Sequence, residues 1–284
     1  MNVLIRSAAT AILGLSAVIG CRAEAQDSAT IVRPVLSSYT YGVGALSVAD
    51  TYLTPLTYHG WSMSLGYERL QAMRFNPEKW TMQLSFVFDG GRGENSARNS
   101  EMWLANLNAR WGMMHKWQLP YGITVMGGGS TDIDGGVIYN SRNGNNPASA
   151  KAAWSVNLTG MAVWKTSVMN VPVTLSYQPS LSLFSIFFSP EYDELYYEIY
   201  LGNHSGLVHF GWPGNRFRMT NAVMADLHLG STWLRLGYRG SILSSQASHL
   251  TTNVFTHQFV IGISCEWLSA DNCRKPDVKT ISAY

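Results

Sequence analysis

Two short stretches carry pairs of ionisable side chains at a spacing that suits acid–base chemistry. In Asp132-Ile133-Asp134 and in Asp226-Leu227-His228, the two ionisable residues are separated by one apolar residue. In a β-strand, alternate residues project from the same face, so each stretch would bring two titratable groups together. Such pairs can exchange protons with a substrate or activate a nucleophile. The two stretches are therefore the first candidates for a catalytic site.

Together the stretches resemble the Asp-Asp and Asp-His pairs of the omptin proteases, which are also ten-stranded barrels. The resemblance covers only these two tripeptides and implies a proteolytic site. The strand pattern described below, however, places Asp132 and Asp134 at the outer end of one strand and Asp226 and His228 at the inner end of another. About a strand length then separates the pairs, which is far beyond hydrogen-bond reach. We therefore reject this site, and would return to it only if the chain direction were inverted between the two stretches.

No other pattern typical of an active site occurs in the sequence. There is no Gly-x-Ser-x-Gly turn for a nucleophile, no phosphate-binding loop and no zinc-type spacing of His and Cys. The remaining histidines are scattered along the chain. We therefore predict no catalytic, cofactor-binding or metal-binding residues, no cofactor and no enzymatic activity.

The composition indicates a membrane barrel and argues against two other classes. Charged residues make up only 13% of the 284 residues, whereas hydrophobic residues make up 46%, aromatic residues 12%, and Gly occurs 26 times. Disordered chains carry more charge and fewer aromatic residues. The formal net charge is only +2 and no basic cluster is present, so nucleic acid is not an expected partner. Strands that are apolar on one face and polar on the other would account for this mixture.

The first 25 residues have the plan of a secretory signal peptide. Arg6 precedes an apolar run over residues 8–20, and Ala23-Glu24-Ala25 forms a small-x-small cleavage site, so the mature chain would begin at Gln26. A lipoprotein cut is the alternative, because Val18-Ile19-Gly20-Cys21 resembles a lipobox that would lipidate the cysteine. Either cut implies export from the cytoplasm.

Period-two runs of about ten residues recur along the mature chain, as a tilted membrane-spanning strand requires. In one run, Trp61, Met63 and Leu65 alternate with Ser62 and Ser64. The predicted strands are Ser38–Ser47, Trp61–Gln71, Trp80–Phe88, Met102–Met113, Tyr121–Ser130, Ala152–Trp164, Val171–Leu183, Thr220–Leu229, Thr232–Ser241 and Asn253–Trp267. We therefore predict an all-β, antiparallel up-and-down transmembrane β-barrel of about ten strands. A soluble sandwich or lipocalin-like barrel would need charged residues on its water-facing strand faces, and here those faces carry mostly small uncharged polar residues.

The connections and the tryptophans fit this topology. Every predicted outer loop (48–60, 89–101, 131–151, 184–219 and 242–252) is longer than every predicted inner turn (72–79, 114–120, 165–170 and 230–231), which is the asymmetry of outer-membrane barrels. Most tryptophans fall at strand ends, where aromatic belts form. Trp233 is assigned to the inner belt but shares its parity with Arg235, which leaves the register of that strand open by one residue.

The chain divides into a cleaved signal peptide (1–25), a barrel (26–267) and a C-terminal tail (268–284). An even number of strands returns both termini to the periplasmic side, so we predict a periplasmic, partly mobile tail. The mature chain keeps Cys265 and Cys273. Two free thiols are the favoured interpretation, and a disulfide closing a short loop is the alternative.

A barrel of ten strands has a narrow interior. Eight-stranded barrels are filled by their own side chains, and an open aqueous channel appears at about sixteen strands. The predicted lumen groups are Glu68, Arg110, Asp226, His228, Arg235, Arg239 and Glu266. In a medium of low dielectric constant we expect these groups to pair with one another, and a selective site is the alternative.

The predicted outer loops hold the most distinctive residues. They are rich in Asn, Pro and Tyr, which form ordered turns. The candidate interaction residues are Asp50, Tyr52, Pro55, Tyr139, Asn140, Arg142, Asn143, Asn145, Asn146, Pro147, Pro190 and Tyr192. They would either pack over the mouth of the barrel or contact an outer partner, and both interpretations stay open.

At these motifs, above all Asp50–Leu56 and Tyr139–Lys151, the chain resembles an uncharacterised, domain-of-unknown-function family of outer-membrane barrels from Bacteroidota. The resemblance extends over Val35–Trp267. It implies an outer-membrane location, and it carries no catalytic residue because the family has no assigned activity.

The expected function is therefore that of an outer-membrane barrel with a filled lumen and a structural, docking or surface-interaction role. Its expected partners are outer-membrane lipid and other envelope proteins or glycans. A narrow channel for a small polar solute is the first alternative, motivated by the inward Arg and Glu residues. A lipid-modifying or proteolytic barrel enzyme is the second.

Overall fold

Ten long antiparallel strands close into a barrel within the part of the chain that the computed structural model describes, residues 30–191, 195–202, 205–230, 232–267 and 278–284. The barrel strands are β2 (Val35–Asp50), β3 (Thr54–Ala72), β4 (Trp80–Glu94), β5 (Glu101–Leu119), β6 (Ile123–Asn140), β7 (Ala148–Val168), β8 (Val171–Phe188), β10 (Arg216–Leu229), β11 (Thr232–Ala247) and β12 (Leu250–Trp267). Each pairs with its sequence neighbour, and the β8–β10 and β12–β2 ladders complete the ring. The predicted fold class is confirmed.

Five short elements accompany the barrel in the described residues: β1 (Thr30–Val32), a single 3-10 turn (Pro120–Gly122), helix α1 (Tyr196–Tyr200), β9 (Val208–Gly211) and β13 (Val278–Thr280). No helix of the described residues is long and apolar enough to cross a membrane. The predicted cleavage residues Ala23, Ala25 and Gln26, the alternative site at Cys21, and also Tyr192 and Cys273 lie outside the described residues. The predictions made for them remain predictions.

Alternation along each strand separates an apolar outer face from a polar inner face. On β2, Tyr39 and Tyr41 point outward and are about half exposed, while Ser38, which directly precedes Tyr39, points inward and is buried. The same pattern holds around the ring, where the exposed outward side chains include Val43, Trp61, Leu65, Phe86, Trp103, Leu107, Trp111, Trp154, Leu158, Trp164, Val223, Phe259, Ile261 and Ile263. A continuous apolar exterior is what a barrel presents to lipid.

The strands reach further than predicted at one end of the barrel. We call this end the loop end. Both described ends of the chain lie at the opposite end of the barrel, which we call the terminal end. At the loop end β3 begins at Thr54 rather than Trp61, and β6 continues to Asn140 rather than Ser130. The alternation simply persists there, so ladder hydrogen bonds form in segments that the sequence analysis had assigned to loops. The connection between β8 and β10 remains long.

Trp233 faces the lumen, which corrects its assignment to an aromatic belt. Its ring lies 4.0 Å from the ring of His228, measured between centroids, and it packs against apolar residues inside the barrel. Arg235 is also inward and buried, so the parity of β11 is as predicted. Because strand periodicity is two, Trp233 has to share the inner face with Arg235.

An apolar layer lies inside the barrel at the terminal end, and we call it the terminal cluster. Its members are inward side chains of the barrel strands together with the last two residues of the chain. They are Leu36, Leu70, Met114, Met126, Met161, Val163, Ala283 and Tyr284. Unbranched methionines fill irregular space well, so a layer rich in Met can seal around an inserted aromatic ring.

The C-terminal residues are docked against the barrel. Strand β13 pairs in parallel with β1, with Ile31 opposite Lys279. The Thr81 hydroxyl donates to the carbonyl of Ala283 (2.8 Å), and Lys116 Nζ donates to the carbonyl of Ser282 (3.1 Å). The sequence predicted a partly mobile tail, whereas residues 278–284 are held because they fill apolar space and accept hydrogen bonds from buried donors.

A second apolar layer, the loop-end cluster, lies inside the opposite half of the barrel. Its members are Leu46, Val48, Leu53, Tyr58, Met102, Leu104 and Ile138. The hydroxyl of Tyr58 donates to Ser100 Oγ (3.0 Å) and accepts from Asn140 Nδ2 (3.3 Å). These bonds satisfy the buried polar atoms, so apolar packing and turn geometry support each other at this end.

The docking of Tyr284 predicts resistance to carboxypeptidase. In the folded wild-type barrel, Tyr284 should be released far more slowly than from the unfolded chain, because its ring is buried in the terminal cluster. Tyr284→Ala removes that anchor, and trimming should then proceed through residues 278–284. Mass spectrometry of the digested protein reads the outcome. The matched control is Lys279→Ala, since Lys279 contributes only an exposed pair with Glu78; equal trimming of wild type and Tyr284→Ala would contradict the docking.

Candidate functional site

The inward charges form ion pairs that cross the lumen in layers. Nearest the terminal cluster, Arg235 on β11 binds Asp226 on the neighbouring β10 through two bonds, Nε–Oδ1 at 2.7 Å and Nη2–Oδ2 at 2.9 Å. Its Nη1 reaches across to Glu68 Oε2 on β3 at 2.8 Å. Arg235 and Asp226 are almost completely buried. The two-pronged geometry suits a planar guanidinium between carboxylates.

Polar side chains complete this layer, which we call the Arg235 layer. Gln83 Nε2 donates to Glu68 and also to Gln178. Ser264 Oγ donates to Asp226 Oδ1 at 3.2 Å. The carboxylates therefore keep hydrogen-bond partners beyond the arginine, which is what a buried ion pair needs to offset its desolvation. A cavity of about 120 Å³ borders this layer.

A second layer lies nearer the loop end, and we call it the Asp132 layer. Arg110 on β5 binds Asp132 on β6 at 2.8 and 2.9 Å. Arg218 on β10 reaches both Asp132 (3.1 Å) and Asp134, and Asn108 Nδ2 donates to Asp134 Oδ1 at 2.9 Å. Asp132 is fully buried. Because Arg218 bridges β10 and β6, this layer ties together two strands that are three positions apart in the ring.

Two further pairs extend the charged interior toward the loop end. Arg239 Nη2 lies 3.0 Å from Asp89 Oδ2, joining β11 to β4 across the lumen. Lys151 Nζ lies 2.7 Å from Asp50 Oδ2 and also donates to Thr252 Oγ1 at 2.9 Å. Asp50 is fully buried. It belongs to the interior of the barrel although the sequence analysis had placed it in a loop motif.

The predicted lumen residues separate into two groups. Glu68, Arg110, Asp226, Arg235 and Arg239 lie in the lumen and pair as expected. His228 also points inward, where its Nε2 is 2.8 Å from Thr174 Oγ1 and its ring stacks on Trp233. Glu266 is exposed at the terminal rim, where β12 ends one residue later.

Several inward charges escaped the sequence analysis, namely Asp89, Asp132, Asp134, Arg216 and Arg218. Asp132 and Asp134 were placed at an outer strand end, and they lie within β6 instead. The signal for finding them was present, since they continue the parity of the buried Ser130. The predicted strands stopped short of these five residues, so all of them were assigned to outer loops.

The Asn-rich motif forms a cap over the loop end. Asn143 Nδ2 donates to the carbonyl of Leu53 (3.2 Å), and Asn146 donates to the hydroxyl of Tyr52. Asn140 is buried, and its backbone N–H donates to the carbonyl of Pro147 at 2.7 Å. These contacts join two hairpin tips, so this part of the motif packs within the molecule.

Other residues of the loop motifs remain accessible. Tyr139 points outward from β6, while Asn145 and Pro55 are exposed. Arg142 is exposed but hydrogen-bonded to the carbonyl of Asn99 at 3.3 Å. Pro190 is buried. The interaction role predicted for these residues stays a prediction.

Helix α1 leans on the cap through Tyr196. Its ring contacts Tyr52 edge-on with centroids 5.7 Å apart, and its hydroxyl accepts a bond from the Ala150 backbone N–H at 2.6 Å. Burial raises the pKa of the Tyr196 hydroxyl to about 12. The phenol therefore stays protonated at neutral pH and keeps this contact uncharged.

The two acid pairs singled out in the sequence do not form one site. Asp134 is bound by Arg218, which lies eight residues before Asp226 on β10. At about 3.3 Å per residue that spacing corresponds to roughly 26 Å along the strand. Each carboxylate is bound by arginine, and no group of three or more metal-ligating side chains is found among the described residues. The inward carboxylates and arginines therefore form ion pairs that join different strands of the barrel.

Removing Arg235 should destabilise the barrel strongly. Arg235→Met leaves the buried carboxylate of Asp226 and the partly buried carboxylate of Glu68 without their cation. The expected loss of unfolding free energy is about 3–5 kcal/mol. Urea unfolding in lipid vesicles, followed by tryptophan fluorescence, measures it.

Two controls isolate the charge effect. Arg92→Gln removes an arginine whose partners are exposed, and it should cost less than about 1 kcal/mol. Adding Asp226→Leu to Arg235→Met should recover part of the loss. A single variant as stable as wild type would show that the Arg235 layer does not brace the barrel.

Comparisons with known proteins concern overall shape. The chain shares 7% identity with the outer membrane protease OmpT from Escherichia coli, with a TM-score of 0.43 and coverage of 83% of this chain and 96% of that chain. Neisserial surface protein A shares 8% identity with this chain, with a TM-score of 0.35 and coverage of 82% of this chain and 97% of that chain. An outer membrane channel from Pseudomonas putida F1 shares 8% identity, with a TM-score of 0.30 and coverage of 87% of this chain and 100% of that chain. These similarities assign no activity.

At the level of sequence, no protein of curated function matches this chain significantly. The family described as "Protein of unknown function (DUF3316)" matches residues 6–273, which include all ten barrel strands. The chain belongs to the DUF3316 family.

Proposed function

We propose that this protein is an outer-membrane barrel with a closed lumen and a docking or surface-interaction role. The observation that carries the proposal is the terminal cluster, in which inward Met and Leu side chains surround Tyr284 across the lumen. The Arg235 and Asp132 layers and the loop-end cluster add further obstacles along the same path. A solute would have to displace docked chain and break buried ion pairs in order to pass.

The proposed location rests on the exterior and on the predicted signal peptide. The outward face carries exposed Tyr, Phe, Leu and Trp side chains around the ring, so outer-membrane lipid is the proposed surrounding. Export through the signal peptide, with cleavage after Ala25, would deliver the chain to the envelope. A source among Bacteroidota is part of the same proposal.

The proposed contact surface is the aromatic loop, by which we mean α1 and Leu201. Tyr197, Tyr200 and Leu201 are all largely exposed at the loop end. Tyrosines of this kind are enriched at protein interfaces, since the ring gives contact area and the hydroxyl a hydrogen bond. An envelope protein or a surface glycan is the proposed partner.

Absence of enzymatic activity is also part of the proposal. The carboxylates that could act as acid or base are held by Arg110, Arg218 and Arg235, which fixes them as charged structural groups. The channel alternative was motivated by these same inward arginines and glutamates. Their pairing supports a bracing role in preference to a conducting one.

The closed lumen predicts that the protein does not conduct. Purified wild-type barrel in planar bilayers should show no stable open state, whereas a sixteen-stranded porin reconstituted in the same way provides the positive control. Single-channel recording is the measurement. A long-lived conducting level in the wild type would overturn the closed-lumen proposal and favour the channel.

The surface-interaction role predicts position-specific cross-linking. A photoreactive residue at Tyr200 should capture one discrete envelope partner in whole cells, because this side chain is exposed on the aromatic loop. The same residue at Ala97, exposed at the β4–β5 hairpin tip, is the matched control. Equal products at both positions, or none at Tyr200, would contradict the aromatic loop as the contact surface.

A further inference from the structure

One arginine inside the barrel has no carboxylate partner. Arg216, at the start of β10, is only 6% exposed and forms no ion pair with any described residue. Its Nη1 is buried and has no hydrogen-bond partner within the described ranges. The guanidinium instead lies over the ring of Phe187, with its carbon 5.2 Å from the ring centroid. A buried cation with unused donors is costly unless an anion or water meets it.

A local break in the ladder explains why Arg216 is unpaired. Strand β8 pairs with β10 as far as Leu181–Met219, and then with β9 from Ser185–Gly211. Between these points, three residues of β8 (182–184) face seven residues of the opposing segment (212–218). The extra residues bulge, so Arg216 meets no regular cross-strand neighbour on β8. The buried hydroxyl of Ser185 beside this break also has no partner among the described residues.

Arg216 lines a cavity of about 100 Å³ in the loop-end half of the barrel. Its lining includes the charged residues Arg218, Arg239 and Lys151, and each of these is already bound to an aspartate. The lining also includes the apolar residues Leu104, Ile138, Ala153, Phe187, Leu250 and Val254. This space is several times the roughly 10–15 Å³ that a cavity needs in order to hold one water molecule.

Around the cavity, the positively charged side chains outnumber the aspartates that pair with them by one. Arg110, Arg218, Arg239 and Lys151 are matched by Asp132, Asp134, Asp89 and Asp50. Arg216 is the fifth cation and has no counterpart in this group. One negative charge would complete the balance, and the apolar wall beside it would hold a short hydrocarbon portion.

We propose that this cavity binds a small amphipathic monoanion, with its anionic head on Arg216 and its apolar part against Phe187, Ala153 and the loop-end cluster. A short-chain carboxylate has the required size, charge and polarity. The site deepens the proposed surface role, because a barrel closed to passage can still hold a ligand at its loop end. Its test reads binding and is independent of conductance.

The experiment measures binding of hexanoate to the purified full-length barrel in detergent by isothermal titration calorimetry, with 1-hexanol and hexylamine as neutral and cationic probes. Hexanoate should bind and the other two should bind at least about tenfold more weakly, as expected for a charge-assisted contact. Equal binding of all three probes, or no binding of hexanoate to the folded wild type, would overturn the proposal.

Four variants assign the site. Arg216→Gln should weaken hexanoate binding at least about tenfold, while Arg216→Lys should retain most of it because the charge remains. Ala153→Leu should abolish binding by filling the cavity. The control Arg92→Gln removes an arginine that does not line the cavity and should bind as wild type. Wild-type affinity in Arg216→Gln and Ala153→Leu, with circular dichroism showing intact barrels, would place any binding elsewhere.

Discussion

Closure of the sheet is the constraint on which the remaining features depend. Once β12 pairs with β2 and β8 with β10, the backbone groups along both ladders are satisfied within the molecule, and the barrel has an inside and an outside. Period-two alternation then sends every second side chain into a lumen only ten strands wide. The outer positions can all be apolar, whereas everything polar along the strands must find partners in a confined interior. The ion-pair layers are a consequence of that confinement.

The interior meets this demand by layering. Apolar clusters lie toward the two ends, and most of the charged groups are collected between them, where a carboxylate can meet an arginine or a lysine from another strand. Arg218 and Arg239 are informative because their partners lie on β6 and β4, across the lumen from their own strands. Such pairs brace strands that are not neighbours in the ring, which the ladder hydrogen bonds alone cannot do. Arg216 stands apart from this scheme because the bulge beside β9 removes it from the regular pairing.

The loop motifs illustrate how a distinctive sequence can serve packing. Asp50 and Asn140 are buried, and the Asn143 and Asn146 side chains fasten one hairpin tip to another. The most exposed aromatic residues at the loop end, Tyr197 and Tyr200, lie on the helix in the β8–β10 connection. Tyr200 and Leu201 carry no motif that would single them out in the sequence, and their prominence comes only from their exposure.

The sequence by itself determined the ten strands, their faces and the inward position of Glu68, Asp226 and Arg235, because alternation is a local property and the number of strands follows from counting it. It did not determine where strands end at the loop end, because a charged inward residue such as Asp132 looks like a loop until a partner from another strand is known. The inward position of Trp233 was implied by parity. Only the tertiary structure decided that Tyr284 fills the terminal end, that Arg218 binds Asp134 across the lumen and that Arg216 is left unpaired. The first two are contacts between residues far apart in the chain, and closure of the ring brings them together. The third follows from the β8–β10 bulge, which keeps Arg216 away from a partner. No local pattern in the sequence encodes ring closure or this bulge.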